Sequence, residues 1–104
     1  MAEEQFVQMY VRDFTTLAAR AESGIDVEAQ VKKRILETRS HAQLMDARKS
    51  SGHLEAVSER LRAESRRDPS QAVRTAADPV GAATRRKAFL LRVADLLEGE
   101  TVSR

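Results

Sequence analysis

The chain has 104 residues, a formal net charge of +2, 4% aromatic residues, and neither cysteine nor tryptophan. That length suits one domain. The missing cysteines exclude disulfides and cysteine-ligated zinc, and no apolar run approaches the roughly 18 residues of a membrane span.

The N-terminal Met1, Ala2, Glu3 and Glu4 are acidic where a secretory leader is basic, so the sequence reads as a cytoplasmic protein with no membrane partner. With so few aromatic side chains the core is thin, which favours self-association as a homodimer. Charge is distributed in blocks. Residues 1–31 carry six acids against two bases, and residues 32–49 carry six bases against two acids. Residues 85–92 hold Arg85, Arg86, Lys87 and Arg92 with no acid. Internal pairing of the acidic first helix with basic neighbours accounts for such a pattern, and a basic face for nucleic acid is the other reading.

The first predicted helix covers residues 3–22. Phe6, Tyr10, Phe14, Leu17 and Ala21 recur at helical spacing, with Val7, Val11 and Ala18 beside them. Gly24 stands where a C-terminal cap belongs. Asp26 is a candidate N-cap for a second helix over residues 27–49, with Ile25 as a staple on its first turn. Val27, Val31, Ile35, Ala42 and Met45 form its main stripe, with Thr38 inside it. Leu36 and Leu44 fall off that stripe, on a side shared with Ala29, Ser40 and Ala47. Apolar residues on two sides of a helix point to two neighbours.

Ser50, Ser51 and Gly52 read as a break. A third helix over residues 53–67 has a narrow stripe of Leu54, Val57 and Leu61 among Glu and Arg. Asp68-Pro69 starts a short fourth helix to about residue 77, and Asp78-Pro79 starts a fifth that Gly99 ends. Residues 100–104 read as a frayed tail. No alternating run or hairpin turn signals a strand. The expected fold is all-α: one domain over residues 1–104, a small bundle of four to five helices, with a long antiparallel pair from the first two.

No phosphate-binding glycine loop is present, and His41 and His53 are the only histidines. His41 lies at the edge of the second helix's stripe. Ser50 and Ser51 next to His53 form a helix break, not a nucleophile with its base. The sequence therefore carries no catalytic, cofactor or metal set.

What remains is binding. The leading reading is a non-enzymatic protein-interaction module, a small regulator, adaptor or chaperone. Its partner or dimer interface is Leu36, Leu44, Ala29 and Ala47. The alternative is a DNA-binding regulator that uses residues 69–92 as a unit resembling a helix-turn-helix. There Arg85, Arg86, Lys87 and Arg92 contact nucleic acid or an acidic partner. Consecutive basic residues point about 100° apart around a helix, so only part of the cluster can meet one phosphate backbone.

Overall fold

A computed structural model describes residues 3–67 and 77–102, with side chains as far as residue 98. Among them are four α-helices: α1 Glu3–Glu22, α2 Glu28–Met45, α3 Ser50–Ser65 and α4 Pro79–Val102. The expected helix over residues 69–77 lies outside the described residues, apart from its last position.

The stripe on α1 is buried along its length. Phe6 and Phe14 are fully enclosed, and Val7, Tyr10, Leu17 and Ala18 lie beside them. The helix ends at Gly24, which takes φ +87°. The Gly24 N–H bonds to the Ala21 carbonyl at 2.9 Å and the Ile25 N–H to Arg20 at 3.2 Å, the paired bonds of a Schellman turn. Asp26 is not the cap of α2: Val27 holds that position, and Asp26, one residue before it, accepts the Glu28 N–H at 3.0 Å. Ile25 is no staple: it is more than half exposed, and Val27 is the residue that packs inward.

The break after α2 comes earlier than residues 50–52. Asp46 takes extended backbone, at φ −165° and ψ 102°. Its carboxylate accepts the Arg48 N–H at 3.0 Å, and Ala47–Lys49 form a single 3-10 turn. Ser50, Ser51 and Gly52 open α3 instead of interrupting the chain. Their low helix propensity matters less in a first turn, whose N–H groups have no intrahelical partner in any case. Asp46 wins because a short acidic side chain competes for backbone N–H groups.

At α4 the Asp78-Pro79 start acts as read. The Asp78 carboxylate accepts the Gly81 N–H at 3.0 Å. Gly99 does not end this helix, which continues to Val102. A glycine terminates a helix by adopting positive φ, and among the described residues only Gly24 does so.

The helices assemble as an all-α bundle. α2 runs antiparallel to α1, with Tyr10 beside His41 and Asp13 beside Arg34. That pair is not the centre of the fold. The most extensive packing is α3 on α4, followed by α1 on α4. Leu61 of α3 and Leu90, Val93 and Leu97 of α4 are fully buried. Small buried residues accompany them: Ser58 and Ser65 on α3, Ala82 and Ala94 on α4. Low bulk lets helix axes approach closely. Ser58 and Ser65 satisfy their hydroxyls by donating to the Glu55 and Arg62 carbonyls at 2.9 and 2.6 Å. Arg62 ties the same two helices from outside, meeting Asp95 at 2.8 Å and also Glu98. Among the described residues no helix is long and apolar enough to cross a membrane.

Phe14 is fully buried in the one continuous core cluster. Truncating a core phenylalanine costs about 3–5 kcal/mol. Phe14→Ala is expected to unfold the protein or lower its melting temperature steeply in a circular-dichroism melt. A variant as stable as the parent would refute the core role of α1.

Candidate protein-interaction face

On α2 the inward stripe is Val31, Ile35, Thr38 and Ala42. The outward side holds Ala29, Leu36, Ser40 and Leu44. Leu36 is 62% exposed and Leu44 86%. Ala29 is exposed on the same side. Ala47 is also exposed but does not share this face, because the Asp46 break ends the helical register before it.

Two grooves flank Leu36. One, of about 310 Å³, is lined by Val31, Ile35, Leu36 and Leu96, with Lys32, Arg39 and Arg92 around its edge. The other, of about 430 Å³, is lined by Tyr10, Leu36, His41 and Leu44, with Lys33, Glu37 and Ser40. Leu36 is thus a ridge between two hollows. Lys32 and Lys33, about 100° apart on the helix, lie one at each hollow. Arg39 reaches across to donate to the Leu96 carbonyl at 2.8 Å. Arg34 pairs with Asp13 at 3.8 Å and Glu37 at 3.6 Å.

The basic segment of α4 is largely engaged within the bundle. Arg85 donates from Nε and Nη2 to the Glu22 carbonyl of α1 at 3.0 and 2.8 Å. Arg86 donates to the Glu64 carbonyl at 3.3 Å and lies 3.9 Å from its carboxylate. Arg92 grips the Glu28 carboxylate with both terminal nitrogens, one bond being 2.6 Å. Lys87 is exposed and makes no ion pair with a described residue. Internal pairing therefore occurs, and it reaches three helices rather than α1 alone. Charge blocks announce such pairing in the sequence, but only the packed structure selects the partners.

Both histidines sit around Phe6. The Tyr10 hydroxyl and His41 Nδ1 share a 2.9 Å hydrogen bond, and His53 Nδ1 meets the Glu3 carboxylate at 2.7 Å. The Phe6 ring lies 5.2 Å from His41 edge-on and 5.8 Å from His53. His53 is buried and held by α1, so it does not face Ser50, whose hydroxyl donates to the Ala47 carbonyl at 3.2 Å. The sequence placed His53 at a helix break. Its burial becomes legible only once Gly52 is known to lie inside α3, which puts His53 one position before Leu54 on the inward side. Among the described residues no group of three or more His, Cys, Asp or Glu side chains could hold a metal ion.

None of the protein-family models, curated proteins and solved structures compared with the chain matches it.

Two titrations test the electrostatics around this face. The hydrogen bond from Arg92 holds the Glu28 carboxylate below its ordinary range, and the Arg92 and Lys32 charges add to the effect. A lowered carboxylate contributes stability above its unfolded pKa of about 4.3 and loses it as pH falls through the folded value. In an NMR pH titration the Glu28 carboxylate is expected to titrate below the same group in the urea-unfolded chain, and equal midpoints would refute the pairing. Burial raises the Tyr10 hydroxyl above its ordinary value, with Glu37 and Asp13 adding to the shift. The folded state then keeps a proton that the unfolded chain releases near pH 10, so this group's contribution falls as pH rises past that point. An ultraviolet phenolate titration of this single tyrosine is expected to give a midpoint above that of the urea-unfolded chain.

Proposed function

We propose that the chain is a non-enzymatic protein-interaction module of the cytoplasm, a small regulator, adaptor or chaperone that binds through the outward face of α2. The observation that carries this reading is the pair of leucines, 62% and 86% exposed, on one helix with grooves on either side of Leu36. Single exposed leucines are ordinary on protein surfaces. Two on one helical face, beside hollows lined in part by apolar side chains, form a patch suited to association.

The nucleic-acid reading has less support. Counterion release needs cations free to meet phosphates, and Arg85, Arg86 and Arg92 already have partners on α1, α3 and α2. The first helix of that DNA-binding unit lies outside the described residues, so the reading rests on the basic side chains alone.

Affinity capture from the native cell extract, with and without nuclease, tests both readings. The expected result is a protein retained despite nuclease and lost when Leu36 and Leu44 are both changed to Glu. Capture that disappears with nuclease, or on changing Arg85, Arg86 and Lys87 to Ala, would overturn the proposal in favour of nucleic-acid binding.

A further inference from the structure

The geometry points to a particular class of partner: an acidic amphipathic helix lying on α2, its apolar side chains in the two grooves astride Leu36 and its carboxylates near Lys32 and Lys33. This inference rests on the proposed role of α2 as the binding face.

The shape argument comes first. A ridge between two hollows matches the way one helix receives another, with a side-chain ridge entering the gap between residues three or four apart. The described residues form helices, turns and bends but no strand, so they offer no sheet edge to an extended peptide. The apolar parts of the linings suit aliphatic or aromatic side chains, with Val31, Ile35 and Leu96 in one groove and Tyr10 and Leu44 in the other.

Charge selects the partner's sign. The two grooves are lined by Lys32, Lys33, Arg39 and Arg92 against one acid, Glu37. Arg92 and Glu37 are already engaged, with Glu28 and Arg34 respectively. Lys33 has no ion-pair partner among the described residues. The Lys32 charge acts on Glu28, a carboxylate already gripped by Arg92. Two exposed ammonium groups therefore flank an apolar ridge, and complementary carboxylates would fix the register of an incoming helix.

The same argument disfavours a second copy. Leu36 and Leu44 are equally distant from Ser40 in sequence, so a two-fold axis there would match each leucine with the other's counterpart. That face carries one acid, Glu37, already engaged by Arg34, so a second copy brings Lys32 and Lys33 no free carboxylate.

The test is selection of a phage-displayed library of helix-stabilised peptides on the immobilised full-length protein. The expected binders carry Leu, Ile or Phe at i, i+3 or i+4, and i+7, flanked by Asp or Glu. Binding is expected to weaken by about tenfold in Lys32→Glu/Lys33→Glu and to fall with added salt. It is expected to vanish in Leu36→Glu. Residue 36 is exposed, so that variant should keep its helicity, checked by circular dichroism. Binders lost in Leu36→Glu but without an acidic bias would overturn the partner class and leave the α2 face standing. Binders indifferent to Leu36→Glu and Leu44→Glu, or no enrichment at all, would overturn both. A dimer mass by light scattering that Leu44→Glu returns to monomer would assign the face to a second copy and overturn the acidic partner.

Discussion

The structure depends on burying one face of α4. Leu90, Val93, Ala94 and Leu97 are fully enclosed, and α1, α2 and α3 all contact this helix. With 4% aromatic residues the chain has few large side chains to place. It places two of its three phenylalanines, Phe6 and Phe14, where they are completely buried. Burial of apolar surface is roughly proportional to area and has no direction of its own. The most extensive contact is between α3 and α4, and both helices carry small buried residues, Ser58 and Ser65 on α3 and Ala82 and Ala94 on α4.

One consequence falls on α2. It has less contact with α4 than α1 or α3 has. Its inward stripe is satisfied by Val31, Ile35, Thr38 and Ala42, and nothing described covers the opposite side. Leu36 and Leu44 are therefore surplus to the fold. Helix propensity alone does not require leucine there, since Lys, Glu or Gln at those positions would form a helix about as well. Their presence on an uncovered face is the link from packing to the proposed function.

Electrostatics divides the basic residues into two groups. The arginines of α4 reach carbonyls and carboxylates on three other helices, where planar, multiply donating groups are well suited. Lysines 32 and 33 remain at the surface, beside the leucines. Exposed pairs such as Arg60 with Glu4 contribute little to stability. The exposed pairs accordingly do little to hold the bundle together.

The sequence by itself determined the helical class, the stripes of α1 and α2, the Gly24 turn and the Asp-capped start of α4. These follow from periodicity and from backbone chemistry within a few residues, both of which are local. It also singled out Leu36, Leu44 and Ala29, because an apolar residue off the main stripe is visible by counting. The structure decided the rest, once through a local competition and otherwise through packing. Asp46 outcompeted the Ser-Ser-Gly run as the break, which removed Ala47 from the face of Leu36 and drew His53 into the core. Gly99 stayed helical because a glycine ends a helix only when the chain turns there. Arg85, Arg86 and Arg92 found partners 63, 22 and 64 residues away. Contacts over such separations depend on which helices lie side by side, and packing of the whole core settles that.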